Sequence, residues 1–527
     1  MSQASSGHDT ALMEKIVSLC KRRGFVFQSA EIYGGLNGCW DYGPLGAELK
    51  RNLKEYWWRK NVQEREDIVG LDGSILTHQD VLKASGHVGG FSDPMCDCLL
   101  SKARLRADQI EPQSGTAYSY SGASHEESGW SVERPYSVLV RDGENENKAR
   151  KTARQYYAQF LTDRQISPKK IELQGEVTEE VKESTRFNPE NGSLLTEPRE
   201  FNLMFKTHVG ASSDDADESS VAYLRPETAQ SIFAQFKNVL ETNRVKLPFG
   251  IAQIGKSFRN EINPRNYTFR SREFEQMEIE YFCREEDGMR LTDEWLETRL
   301  TFYEEIGIPR EKLHILDVPD GERAHYSKKT YDIEYEFPFG IQELEGVAYR
   351  TDYDLTKHQD HSGKPLEYFD DEVKEKFIPH VVEPSAGCDR TVLALICEAF
   401  EEETVTNEKG KEETRTVLHF SPRIAPVKVG VFPLLKNKPE LVEKAREIQA
   451  MLAPYMTVFY DEGGAIGRRY RRQDEIGTPY CVTVDFDTLG ENDDETKDTV
   501  TLRERDSMEQ RRVPVGELRE FLLDAIR

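Results

Sequence analysis

Residues 249–282, FGIAQIGKSFRNEINPRNYTFRSREFEQMEIEYF, decide how the rest of the chain is read. Their alternation predicts two β-strands joined by a polar loop. In the first strand Ala252, Ile254 and Phe258 share one face, and Arg259 and Glu261 share a face two residues apart. In the second, Met277, Ile279 and Tyr281 form an apolar face, while Phe274, Gln276, Glu278 and Glu280 point the opposite way. The loop carries Arg265, Arg270 and Arg272 around Asn-Pro and Asn-Tyr turn signals. A hairpin whose polar face is merely wet accounts poorly for an aromatic set among carboxylates and arginines. Cations suit a polyphosphate, an aromatic suits a base, and carboxylates suit an ammonium group. The surface fits a nucleotide and an amino acid side by side.

A second anchor is IPHVVEPSAGCDRTVLALICEAF at 378–400, a strand ending at Gly387 and then a helix with Leu393, Ile396 and Phe400 on one side. A helix N-terminus offers free N–H groups to phosphate, and Arg390 in the first turn adds a planar cation. Between the anchors and the N-terminus, YLRPETAQSIFAQFKNVL predicts a short strand, a turn and a helix burying Ile232, Phe236 and Leu240. Glu227 lies at that helix start, where the dipole favours a carboxylate.

These residues resemble a known family. FRNE (258–261), the arginine-bearing loop and REFEQMEIEYF (272–282) are similar to motif 2 of the class II aminoacyl-tRNA synthetases, in the form carried by the dimeric glycyl-tRNA synthetases. EPSAGCDR (383–390) is similar to motif 3, and RPETAQ (225–230) to the family's glycine-site element. LDGSILTHQDVLKASGHVGGFSDPM (71–95) resembles the motif 1 region, and GIQELEG (340–346) the element that lies beside ATP. The fold expected is α+β: an antiparallel-sheet class II catalytic core with helices, plus a C-terminal α/β anticodon-binding domain.

The chain has 95 acidic and 70 basic side chains among 527 residues, a formal net charge of −25. That length accommodates several domains, and that charge argues against unselective nucleic-acid binding. The eight cysteines show no disulfide-framework spacing, and Cys96 and Cys98 have no second pair before Cys283, so no structural zinc is expected. No run approaches the roughly 18 apolar residues of a membrane span. MSQASSGHDT lacks the apolar core of a secretory leader, so the expected compartment is the cytoplasm, with no membrane partner.

Taken in order, residues 1–10 are expected to be disordered, 11–420 to form the catalytic domain and 421–527 the anticodon-binding domain. Residues 10–23 read as a helix. Leu45, Leu49, Leu53 and Trp57 give the helix after Pro44 an i, i+4 stripe, assigned partly to a homodimer contact by the motif 1 resemblance. Insertions are expected at about 99–200, helical over 146–185, and at about 283–375. FNLMFKTHVG (201–210) reads as one strand, SSDDADESS (212–220) as a solvated acidic loop, and His358 with His361 as a solvated pair. After 421, alternating valines (427, 429, 431), a helix at 438–453 and further strands suggest a compact α/β domain. Within it Arg468, Arg469, Arg471 and Arg472 crowd a helix start, a local nucleic-acid footprint on an acidic body.

The resemblance implies two steps: glycine and ATP give glycyl-adenylate, and the glycyl group then passes to the 3′ end of tRNA(Gly). It implies an ATP site made of Arg259, Asn260 and Glu261, the run Phe269, Arg270, Ser271, Arg272, Glu273 and Phe274, Glu343 with Leu344, and Gly387, Cys388, Asp389 and Arg390. Arg259 would hold the α-phosphate, Arg390 the far phosphates, and Phe274 would stack on adenine with Glu261 near its amino group. Mg2+ is expected with the triphosphate, with Glu343 a plausible ligand. The implied glycine site joins Arg106 and Glu227 to Phe274, Glu275, Gln276, Met277 and Glu278, and to Glu383, Pro384, Ser385, Ala386 and Gly387. Specificity would rest on Glu227, Glu278, Glu383 and Ser385 gripping the ammonium group, with no room left at the α-carbon. The alternatives are a class II synthetase for threonine, proline or histidine, a non-catalytic tRNA-binding regulator, and a ligase acting without tRNA.

Overall fold

The computed structural model describes residues 9–161, 167–210, 220–406, 410, 412–492 and 494–527. Most of the stretch expected to be disordered, 1–8, and nearly all of the acidic loop, 211–219, lie outside these. The chain forms two compact units, one comprising 1–85, 205–259 and 264–527, the other 86–204 with 260–263.

The first unit opens with helix α1 (Thr10–Arg23), capped where Asp9 Oδ1 accepts from the Leu12 N–H at 2.8 Å. Helix α2 (Pro44–Trp58) follows, with proline in its first turn. A Cβ at Gly46 would stand 1.9 Å from the Phe25 carbonyl oxygen, so only glycine lets α2 pack this closely. Leu49, Leu53 and Trp57 of α2 are buried within the single chain. At about 1.5–3 kcal/mol for each buried large apolar side chain, that stripe is core. Its assignment to a dimer contact is therefore corrected.

Next come strand β1 (Ile68–Gly70), helix α3 (Ala229–Asn243), β2 (Phe249–Phe258) and β3 (Glu273–Cys283). Helix α4 (Gly288–Ile306) leads to β4 (Leu313–Asp317), β5 (Lys329–Phe337) and β6 (Gly340–Thr351). Helix α5 (Tyr353–Ser362), β7 (His380–Gly387) and helix α6 (Cys388–Ala399) complete the core. The seven strands form one sheet in the order β4-β5-β6-β7-β3-β2-β1. Every pairing is antiparallel except β2 with β1. In β2 and β3 the register pairs Gln253 with Glu278 and Ile251 with Glu280. Met277, Ile279 and Tyr281 enter the main core with Leu300, Val347 and Leu393. The opposite face of the sheet carries the polar side chains.

Three expectations change here. Strand β2 ends at Phe258, so Arg259 and Glu261 lie beyond it rather than sharing a strand face. The supposed insertion at 283–375 supplies α4 and three strands of the central sheet, because its acidic residues alternate with buried Ile333, Tyr335 and Phe337. The helix at 353–362 buries His358, whose Nε2 lies 2.8 Å from Gln230 Oε1, so that histidine is no member of a solvated pair.

The C-terminal part follows its predicted order: β8 (Val429–Pro433), α7 (Pro439–Leu452), β9 (Val458–Tyr460), α8 (Ile466–Asp474), β10 (Tyr480–Val484), β11 (Thr499–Glu504), β12 (Gln510–Pro514) and α9 (Val515–Ala525). Its sheet, in the order β9-β8-β10-β11-β12, packs Val431, Val482 and Leu502 against Leu441, Ile448 and Leu518.

The second unit is mostly strand. Gln113–His125 pairs with Trp130–Arg141, Glu172–Gln174 and Val177–Ser184. Among the described residues of 146–185, only Asn147–Ala158 is α-helical, so the predicted helix over that range is corrected. Small and aromatic residues alternate in QSGTAYSYSGASH, and Tyr136 stacks on Tyr156 with centroids 3.8 Å apart. FNLMFKTHVG is likewise split, into the strands Arg199–Asn202 and Phe205–His208 of different sheets. Cys96 and Cys98 are buried among Ile110 and Leu195.

Candidate active site

Neighbouring strands bring the carboxylates together. Glu278 on β3 lies opposite Ser385 on β7, and Ala348 on β6 lies opposite Glu383. Glu278 is 1% exposed; it accepts a short bond from the Thr228 hydroxyl and another from Ser385 Oγ at 2.8 Å. Thr228 immediately precedes α3, so RPETAQ delivers a donor to the pocket floor. Gln276 accepts from Ser257 Oγ at 2.8 Å and directs its amide toward Ser385 Oγ at 3.4 Å. Glu227 accepts from Gln230 Nε2 at 2.9 Å.

One guanidinium holds this acidic nest. Arg350 is 2% exposed, donates to Asp354 at 2.8 and 2.9 Å, and makes a short ion pair with Glu383. It also lies 4.1 Å above the Tyr326 ring. Burial, against the opposing Arg350 and with Glu278 and Glu227 adding repulsion, pushes the Glu383 carboxyl up to about 8. Burial and then Glu227 raise Glu278 in the same direction. A buried, over-acidic pocket of this kind is suited to a cation with N–H donors.

The other half of the site is built of arginines and rings. Arg259 lies 5.4 Å over the Phe274 ring, and its Nε donates to the Pro226 carbonyl at 3.1 Å. Arg390, in the first turn of α6, lies 4.5 Å over the Phe269 ring and donates to Glu343 Oε2 at 3.1 Å. A bulge in β6 sets Glu343 opposite Glu334 and Glu345 opposite Ile333, turning Glu343 outward and Leu344 into the core. Asp332 nearby is pushed up to about 7 by burial and then by Glu343 and Glu334. The loop between Arg259 and Phe274 is anchored where Arg272 donates to the Asn37 carbonyl at 2.7 Å. Ser271 donates to Thr268, and Glu273 pairs with Lys256.

Not every residue of the matched runs presents its side chain here. Met277, Ala386, Cys388 and Leu344 are core, and Pro384 is buried. Glu275 turns to Lys50 and Lys54 at 2.7 and 2.9 Å. Asp389 accepts from Tyr42, Lys50 and the Glu275 N–H at 2.6–2.7 Å, bracing α2 against β3. Arg106, Asn260 and Glu261 belong to the second unit. There Arg106 pairs with Asp93 at 3.0 Å and Asp108 at 2.7 Å, and Glu261 adds to the negative field around it.

Sequence reasoning missed Arg350, Asp354, Thr228 and Tyr326. The i, i+4 spacing of Arg350 and Asp354 was a visible signal, but it spans a strand end and a helix start rather than one helix face.

The four arginines of the basic helix separate. Arg469 is 2% exposed and donates to the carbonyls of Gly464, at 3.2 and 2.8 Å, and Pro433. Arg472 is tied to Asp461 at 2.5 Å. Arg468 is exposed and Arg471 half-buried.

Family models match two stretches of the chain: the tRNA synthetase class II core domain (G, H, P, S and T) over residues 205–400, and an anticodon binding domain over 428–525. A glycine–tRNA ligase of Treponema denticola is 47% identical over 507 residues, covering 96% of this chain and 95% of the relative. One from Thermus thermophilus is 46% identical over 540 residues, covering 98% and 99%. One from Clostridium acetobutylicum is 48% identical over 519 residues, covering 98% and 100%.

Proposed function

Because the chain belongs to the glycine–tRNA ligases, a family of class II aminoacyl-tRNA synthetases, we propose that it activates glycine with ATP and esterifies tRNA(Gly). The observation that carries the glycine reading is the buried pocket of Glu278, Glu383 and Ser385, with Glu227 at its edge. An ammonium group reduces the charge deficit that Arg350 leaves, and a methyl forced in at the α-carbon costs about 1–3 kcal/mol.

Glycine's carboxylate attacks the α-phosphorus of ATP; the bond to the β-phosphate breaks and pyrophosphate leaves. Arg259 is positioned for the α-phosphate and Arg390 for the distal phosphates, each oriented by an aromatic face and a carbonyl or carboxylate. Adenine is assigned to the Phe274 side, with Arg270, Ser271 and Arg272 shaping the loop. Asn260, Glu261 and Arg106 keep their proposed substrate roles by resemblance. Glu343 offers a hard carboxylate oxygen that would hold Mg2+ with the triphosphate, and the ion would supply charge neutralisation for the phosphates. The tRNA hydroxyl then attacks the glycyl carbonyl, releasing AMP.

For tRNA, the anticodon-binding domain offers Arg468 and Arg471, while Arg469 supports the helix from within and Arg472 is held by Asp461. Among the described residues no helix is long and apolar enough to cross a membrane. A cytoplasmic homodimer remains the assembly proposed from the motif 1 resemblance. The test is transfer of labelled glycine, in the presence of ATP, to a total tRNA pool. Label on the glycine-accepting species supports the reading, and adenylate formation without transfer would overturn its second half.

A further inference from the structure

Glu280 lies two residues beyond Glu278 on the same face of β3, at the bottom of the pocket. It is 0% exposed, and neither of its carboxyl oxygens has a hydrogen-bond partner among the described residues. The ligand oxygens of Glu278, Glu280 and Glu383 all lie within 4.8 Å of one another. Around them stand Arg350 from β6 and Asp354 from α5, with Glu227 ahead of α3.

The charges do not balance if every carboxyl is ionised. Glu278, Glu280, Glu383 and Asp354, with Glu227 beside them, would face the guanidinium of Arg350, whose bonds go to Asp354 and Glu383. The field of Arg225 also reaches Glu278, but its own bonds go to Lys256, Gly73 and Gln253. An ammonium from the substrate would supply only one further positive charge. Glu278 has hydroxyl donors and Glu383 has Arg350, so each has a partner for the ionised form it takes when an ammonium group is bound. Glu280 has no donor, and a carboxylate buried without one carries its full desolvation cost.

We propose that Glu280 is a neutral carboxylic acid in the floor of the pocket, a positioning residue whose O–H is donated to the neighbouring carboxylates that grip the ammonium group. This rests on the glycine reading of the same pocket. A protonated carboxyl offers one donor, and its acceptors are Glu278 and Glu383. The proton removes one of these negative charges, leaving Glu278, Glu383 and Asp354 against Arg350 and one ammonium group. Burial first and Glu383 next, opposed by Arg350, hold Glu280 well above the usual carboxylate range.

The test combines infrared spectroscopy of the full chain carrying isotopically labelled glutamate with glycine-dependent ATP–pyrophosphate exchange. With glycine bound, a protonated-carboxyl band at neutral pH is expected in the unaltered protein and absent from Glu280→Gln; without glycine, Glu383 adds a band of its own that titrates near 8. Glu280→Ala should raise the KM for glycine about tenfold with little change in the KM for ATP, and Glu280→Gln should bring it back to within about threefold. Absence of the band overturns the proposal, as does a loss in Glu280→Gln as large as that in Glu278→Gln. A divalent ion retained by the unaltered protein and lost from Glu280→Gln also overturns it. If Glu280→Gln fails to fold, the pH titration of the band in the unaltered protein decides. Exchange supported by a different amino acid would defeat the glycine reading while leaving the infrared result to stand or fall alone.

Discussion

Glu278 is sealed in the sheet and held by Thr228 and Ser385, whereas Arg259 and Arg390 lie half-buried over the rings of Phe274 and Phe269. The first arrangement spends stability: four carboxyls crowd one arginine in low dielectric, where an unmatched charge is costly. The second spends little, because its cations keep contact with water and are oriented by stacking. The amino-acid half therefore buys selectivity through a charge deficit that an ammonium group relieves, and the nucleotide half offers a platform. The difference predicts that changes in the two halves separate stability from activity.

The largest effect belongs to the pocket. Glu278→Gln should lower kcat/KM for glycine more than about a hundredfold, measured by adenylate formation. Arg350→Met leaves Asp354 and Glu383 uncompensated and should cost about 3–5 kcal/mol in denaturant unfolding, with activity lost alongside. On the platform, Arg390→Ala should raise the KM for ATP about tenfold with the unfolding midpoint unmoved. Equal destabilisation by Arg350→Met and Arg390→Ala would break the comparison.

The same contrast recurs in the basic helix. Arg469→Ala removes a buried donor to Gly464 and Pro433 and should destabilise the chain by about 1–3 kcal/mol. Arg468→Ala should leave stability alone and reduce the salt dependence of tRNA binding by about one unit of slope.

The last effect is on pH. Glu383 rises from 4.5 to about 8 on folding, so between those values the folded chain holds more protons than the unfolded one. Stability of the glycine-free protein should fall as pH rises through that window, and glycine should flatten the fall. Unfolding curves at several pH values, with and without glycine, check the sign.

Local pattern exposed much of this in the sequence. The alternation of Met277, Ile279 and Tyr281, the helix behind EPSAG and the valine strand at 429–431 depend on neighbours a few residues away. The pocket's balance was hidden because Arg350 reaches it from one strand, Asp354 from a helix and Thr228 from a third element. In the alternation Glu280 looked like any other polar-face residue; only the closed sheet shows it without a donor. The strands at 113–184 were missed because small residues such as Ser119, Gly122 and Ala123 carry a weak periodic signal. Arg469 looked like its neighbours because a helix start gives no sign of which arginine turns inward.

The most direct test of the account is ATP–pyrophosphate exchange with each amino acid offered alone to the purified protein and to Glu278→Gln. The account predicts exchange with glycine only, abolished in the variant. Exchange driven by another amino acid, or glycine-dependent exchange surviving in Glu278→Gln, would contradict the assignment of the buried carboxylates to the substrate's ammonium group.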